Sequence, residues 1–450
     1  MAKTIYSHAF LVGSFNGKVT PQELDKEWER VDNQDEYESI CSIYYKGHVD
    51  AMLDVNNSRP PFLKDVCHYK LSFDEINDNG ENIVGKEIEM KMKKNMGKDD
   101  FMYRFRLISL HLYFFQFSIV LLAIEIDDTG TDLNELTAAH SSLVKSSVYN
   151  RDEIKFAFSS ITRFFSNPSS ILKVGNKFKL YQVIEIDSEN IDDRMIFEIG
   201  TSSPIGCVGT KHPMAPSEQY YDSIMRFNTV SAFNDWKGLA LMDSFTMISN
   251  AEKHNDLTWD KHFYLWTNHY FQLIYLRCLF EKTFCFSQNI AYRMGESTPD
   301  LSKMISDMER YYFYNKISYN FLPNLLYESM SKGMELKEER DELSKQIKER
   351  AKEEESIIKE QEKTAAQLLK EKHEEQKEKD DKRFNNILAY VSIFAVFSVI
   401  WDICSILMAS SYKLKESVWT ARVLFVIGVA LSLFFIWLIK YNNKRRNGTK

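Results

Sequence analysis

The sequence predicts an α/β (α+β) cytosolic domain, then a very long stalk helix, then a two-helix C-terminal transmembrane hairpin. Three observations carry this. Residues 387–409 and 418–439 each have the length and apolar character of a bilayer-spanning helix. The stretch before them, 335–383, has 31 Asp, Glu, Lys or Arg among its 49 residues, with a spaced apolar seam running through it. Before residue 250, short runs rich in β-branched and aromatic residues alternate with segments of helical period.

A chain of 450 residues with 14% aromatics has ample material for a buried core. Its net charge of -7 leaves no basic stripe for nucleic acid, so no direct nucleic-acid binding is expected. Six scattered cysteines without a C-x-x-C pair indicate neither a disulfide framework nor a zinc ribbon, and they read as reduced thiols. The opening "MAKTIYSHAFLVGSFNGK" is too short in its apolar part for a signal peptide, which places the first domain in the cytosol.

Along that domain, "ESICSIYYKGHVDAMLDV", "KFKLYQVIEID", "RMIFEIG" and "GLALMDSFTMIS" read as strands, and "TDLNELTAAHSSLVKSS" and "NRDEIKFAFSSITRFF" as helices. The most apolar stretch, 107–126, needs a decision, because an extra span would invert the topology. It contains His111, Gln116 and Glu125, is dense in aromatic and β-branched residues, and closes on "DDTG". Two buried strands suit these features better than a helix in lipid.

A long helical run follows at "WDKHFYLWTNHYFQLIYLRCLFEKTFCFSQNIAYRM", and "STPD" opens another helix with a capping residue before proline. From Pro323 no strong breaker except Gly333 stands before the loop beyond Ala409, so one helix of 87 residues is expected, roughly 130 Å long. In it Leu336, Leu343, Ile347, Ala351, Ile358, Ala365 and Leu369 recur at steps of 7 or 4, a seam suited to assembly. The basic tail "KYNNKRRNGTK" places both termini in the cytosol by the positive-inside rule. The expected divisions are a cytosolic domain (1–250), a helical subdomain (251–322), the stalk (323–386), the first span (387–409), an external loop (410–417), the second span (418–439) and the tail (440–450).

Within the first span, Asn385, Ala389, Ser392, Ala395, Ser398, Asp402, Ser405 and Ala409 fall on one helical face. Close helix packing accounts for the small residues. It does not account for Asp402, since an ionisable group at this depth costs about 3 kcal/mol against lipid and usually faces a bundle interior or water. Several copies around an axis would turn the stripe into a pore lining with a carboxylate ring that favours cations.

Other constellations are less specific. His254, Asp256, Asp260, His262 and His269 match no metal motif, and core packing is the better reading for the last two. The loop "GTSSPIGCVGTK" lacks the phosphate-loop order and reads as a surface loop. Arg151, Lys155, Arg163, Arg194 and Arg226 lie among aromatics and suit an anionic, stackable ligand. No pairing of nucleophile and base stands out, so an enzyme is not expected.

This order of domain, long helix, two spans and basic tail resembles the CorA-like divalent-cation transport family. The resemblance implies a homopentameric funnel in the cell's inner membrane. The family's Gly-Met-Asn signature belongs at the outer end of the first span, where this chain has "LMASSY"; Met408 corresponds, and the glycine and asparagine are absent. The large aromatic-rich domain with the lost signature is similar to the CorA-like membrane effectors encoded beside type III CRISPR systems. That likeness implies antiviral defence and gating by a nucleotide second messenger, one of which joins S-adenosylmethionine to AMP. A magnesium or other divalent-cation transporter is the alternative, and a membrane-tethered enzyme a second.

Overall fold

The computed structural model describes residues 4–15, 19–31, 45, 66–94, 99–164, 177–188, 191–213, 215–250, 263–294, 301–410 and 417–447. The chain forms two compact units, Met1–Glu349 and Arg350–Lys450.

The first unit is built on one ten-stranded sheet. Its strands are β1 (Thr4–Ser14), β2 (Glu29–Arg30), β3 (Cys67–Ser72), β6 (Lys86–Lys93), β7 (Asp100–Phe114), β8 (Val120–Asp128), β9 (Lys179–Ile186), β10 (Thr229–Val230), β11 (Trp236–Ala240) and β12 (Ser244–Asn250), while β4 (Glu75–Ile76) and β5 (Asn82–Ile83) form a separate ribbon. The order is β10-β11-β12-β9-β1-β8-β7-β3-β2, with β6 also on β7. Among the described residues only β9 and β12 pair in parallel.

Helices cover both faces. On one side lie α1 (Leu133–Leu143) and α2 (Asp193–Gly200), with α3 (Glu218–Asn228) packed on α2. On the other lie a π-helical segment (Leu265–Tyr275) that runs into α4 (Leu276–Arg293), then α5 (Leu301–Tyr311), α6 (Phe321–Gly333) and the start of α7 (Leu336–Ser410). Because side chains alternate along a strand, Leu122 and Ile124 of β8 enter the first core and Leu121 and Ala123 the second. Burial on both faces explains the continuous apolar run that resembled a membrane span. The stretch is indeed two strands, β7 and β8, joined through Phe117 and Ser118, both at positive φ.

Three expectations are corrected. "RMIFEIG" is helix α2, not a strand: Asp192 caps it through the Arg194 amide, and Ile196, Phe197 and Ile199 face inward. Its apolar run is too short to separate the two periods. "GLALMDSFTMIS" is not one strand but the hairpin β11–β12, closed where the Leu241 amide donates to the Ser244 carbonyl at 2.7 Å. The 87-residue helix is broken into α6 and α7 at Met334 and Glu335. Glu335 has φ 58°, and Gly333 presses on β11 so closely that a Cβ there would sit 2.6 Å from the Ala240 carbonyl oxygen. The expected second helix after α1 is present as a broken helical run, two short α-helices (Asp152–Lys155 and Ser159–Thr162) joined by a 3-10 turn at Phe156–Phe158.

The beginning of the seam is satisfied within the first unit, where Leu336 and Leu343 are buried and Ile347 packs on the same core. In the second unit Ile358 and Leu369 are 54% and 69% exposed. Among the described residues one helix, α7, is long and apolar enough to cross a membrane, and α8 (Ser417–Asn447) contains a shorter apolar run, Phe425–Phe434. In α7 the least exposed residues of the apolar part are Ala389, Ile393, Phe397, Ile400 and Cys404. Ile400 meets Gly428 of α8, and the Trp401 and Phe425 rings stand 6.2 Å apart.

Candidate functional site

A cleft of about 760 Å³ opens in the first unit where several elements end together. Its walls are the segment after α1, the start of β9, the end of α2, one side of α3, the β11–β12 turn, and the connector between α6 and α7 with Glu338. The volume is that of a site for a nucleotide-sized molecule.

The lining carries both signs of charge. Lys145 and Lys177 belong to two segments joined by a backbone bridge, so two ammonium groups share one wall. Lys332 stands at the end of α6, 4.9 Å from the centre of the Phe227 ring. Helix C-termini favour cations, which accounts for lysines following α1 and ending α6 but not for Lys177. On the acidic side, Asp243 is already paired with Lys179, which leaves Glu335 and Glu338 at the root of α7. Tyr220 adds aromatic surface, and Ser202 and Asn228 add hydrogen-bonding groups.

None of the five basic residues singled out in the sequence lines this cleft. Arg151 pairs with Glu153 and donates to the Lys91 carbonyl at 2.8 Å; Arg163 pairs with Asp25 at 2.9 Å. Arg194 grips both carboxylate oxygens of Glu218 at 2.9 and 3.1 Å. Arg226 lies over Phe227, and Lys155 is exposed. The cleft lysines were missed because no local spacing marks them: residues 145, 177 and 332 meet only through the sheet. The nearest sequence cue was their position at element ends.

The glycine loop after α2 is a loop, as expected. Its Gly206 and Val208 amides point at an anion, but that anion is the chain's own Glu198, at 2.7 and 3.0 Å. Of the expected His/Asp group, His254, Asp256, Asp260 and His262 lie outside the described residues. His269 is fully buried, and burial pushes it down to about 4. Among the described residues no group of three or more His, Cys, Asp and Glu is placed to hold a metal ion.

Two buried polar networks cross the sheet, and none of their side chains lines the cleft. In the first, His68 Nε2 meets His111 Nδ1 at 2.8 Å, His111 Nε2 meets Glu125 at 3.0 Å, His8 reaches the other Glu125 oxygen at 3.2 Å, and Tyr6 bridges His8 to the Asp127–Arg106 pair. Burial raises the Glu125 carboxyl, and the hydrogen bonds from His111 and His8 more than reverse this, holding it well below the usual range. Burial lowers His68 well below the ordinary imidazole value and lowers His111 against the opposing pull of Glu125. A buried polar network that ties β1, β3, β7 and β8 together disfavours any other strand register.

In the second, Tyr103 donates to Asp128, and His140 Nδ1 and Thr246 hold Gln182 at 2.7 and 2.8 Å. Burial pushes Asp128 up to about 7 and His140 down to about 4. Their effects on stability oppose each other. From pH 7 to 4 the folded state protonates Asp128 before the unfolded state does, so acid strengthens that contribution; from pH 6.5 to 4 only the unfolded state protonates His140, so acid weakens that one. Asp128→Asn removes the first contribution alone. The variant should therefore lose stability relative to the parent on going from pH 7.5 to 4.5, by on the order of 4 kcal/mol at most. Urea midpoints of both proteins at the two pH values measure this, and a constant gap would show that Asp128 is ionised throughout.

No protein-family model, no curated protein and no solved structure matches the chain.

Proposed function

We propose that the chain is a CorA-like membrane channel, multi-pass in the inner membrane with both termini cytosolic, assembled as a homo-oligomer and gated by a nucleotide-type second messenger. One observation supports this above the rest: the wall of the cleft includes Glu335 and Glu338, so an occupant would touch the root of the same helix that carries Asp402. A ligand that prefers one setting of that root shifts the population of the whole helix. A cleft with ammoniums on one wall and carboxylates on another suits a molecule of mixed charge, such as a conjugate of S-adenosylmethionine and AMP. Residues 387–409 and 418–439 form the transmembrane hairpin of each subunit, with a pentamer following from the family resemblance. The exposed apolar side chains of α7 and α8, among them Phe394, Trp401, Ile406 and Leu433, provide surface for lipid and neighbouring copies.

The test is ion flux from liposomes that contain the full chain, together with calorimetry using adenine-containing messengers. Binding should open flux. Exchanging both Lys145 and Lys177 for glutamate should weaken binding roughly a hundredfold, since each removes a charge-assisted contact. No heat with any messenger, alongside saturable magnesium binding, would favour a divalent-cation transporter instead.

A further inference from the structure

Lys282 of α4 holds the connector between α6 and α7. Its ammonium donates to the Met334 carbonyl at 2.6 Å, and Met334 is buried at the end of α6, next to the positive-φ Glu335. A lysine on a terminal helix carbonyl is a C-capping contact. The acceptor is neutral, so the ammonium gains less than it would from an anion.

The same ammonium lines a second cavity of about 190 Å³, which shares Lys177 and Met242 with the larger cleft. Lys177, Lys179 and Lys282 line it together with an apolar floor that includes Leu279 and Phe286. Of the carboxylates nearby, Asp243 is paired with Lys179, and Glu339 accepts from Asn289 at 3.2 Å. Burial lowers the Lys282 ammonium, Glu339 and Glu335 oppose this, Lys179 adds to it and Asp243 opposes it. With Lys179 paired to Asp243, Lys177 and Lys282 face one lining carboxylate, Glu339, which leaves this small, partly apolar space one negative charge short.

We infer that this smaller cavity is an anion subsite for a phosphate group, and that its occupant draws Lys282 off the Met334 carbonyl and so frees the connector at the root of α7. This rests on reading the adjoining cleft as a ligand site. The phosphate has two sources, a free ion or the phosphate of a nucleotide lying in the cleft. Either supplies the missing negative charge; only the second is held by the cleft as well.

The experiment is amide hydrogen exchange on the full chain in detergent, titrated with inorganic phosphate in one arm and with adenosine monophosphate in the other. The Met334, Glu335 and Glu339 amides, which donate to Met330, Lys332 and Glu335 carbonyls, should exchange about tenfold faster at saturation. Lys282→Met should exchange fast without either anion and respond to neither, and Lys282→Arg should respond as the parent does. A response at lower concentration of the nucleotide assigns the phosphate to a cleft ligand; equal concentrations assign it to the free ion. Unchanged exchange in the parent with both anions, or a parent-like response in Lys282→Met, overturns the subsite. Failure of nucleotides to open flux while this response persists overturns the channel reading and leaves the subsite standing.

Discussion

Liposomes carrying the Asp402→Asn chain are expected to lose their preference for cations over anions while the oligomer still assembles. The substitution keeps the volume and removes the charge, so a ring of such residues would still be wet but would no longer attract cations. Asp402 is exposed on α7, two residues from Ile400, which meets Gly428. At 100° per residue it points well away from the side of the helix that meets α8. The Ser392, Ala395, Ser398 and Ser405 side chains are likewise exposed, and the Ser392 and Ser405 hydroxyls turn back to the carbonyls of Leu388 and Asp402 at 2.8 Å. The side chain of Ala409 lies outside the described residues. Asp402→Leu should instead leave an apolar constriction and reduce conductance for every ion. If both variants conduct with the parent's selectivity, the stripe from Asn385 to Ala409 is a packing surface between helices, and the pore must be sought elsewhere.

Part of the sheet was legible, because there its signal is local; β1, β3 and β6 went unread. β7, β8 and β9 carry β-branched and aromatic residues whose alternate side chains serve two cores, and the polar His111 and Glu125 inside that run distinguished buried strands from a membrane helix. The ends of the long helix were less so. Gly333 was visible as a weak breaker, but what breaks the helix is the close approach of β11 to that glycine, and no spacing within 323–386 encodes a contact with residue 240. The seam was legible as a period and ambiguous as to partner: Leu336, Leu343 and Ile347 are covered by the chain's own core, and Ile358 and Leu369 are not. The cleft was illegible, since its lysines and glutamates come from segments up to nearly two hundred residues apart. Choosing arginines near aromatics found residues that the structure engages with Glu153, Asp25 and Glu218, which is the ordinary fate of surface guanidiniums.

Glu281→Ala is expected to destabilise the first unit by about 3–5 kcal/mol, the largest stability effect of any single exchange considered. Glu281 and Arg277 are fully buried in α4, with Arg277 Nε 3.3 Å from one carboxylate oxygen; Arg340, from the second turn of α7, takes the other. Arg340 also donates to Tyr327 at 3.2 Å and lies over the Phe313 ring at 4.3 Å, while Arg277 reaches the Tyr312 carbonyl. Burial raises the Glu281 carboxyl, and Arg340 and Arg277 draw it back toward the ionised form. Removing the centre leaves two guanidiniums in the core with no counter-charge, which is far worse than losing the attraction alone. Arg340→Met should cost less, because Glu281 keeps Arg277. If the cost lies in the orphaned cations, adding Arg277→Met and Arg340→Met to Glu281→Ala should restore much of the lost stability, since an apolar replacement of a buried ion group is often neutral or better. Urea midpoints of the four proteins decide it. A Glu281→Ala midpoint equal to the parent's would mean that water reaches the triad and that α7 is held to α4 by Leu336 and Leu343 rather than by charge.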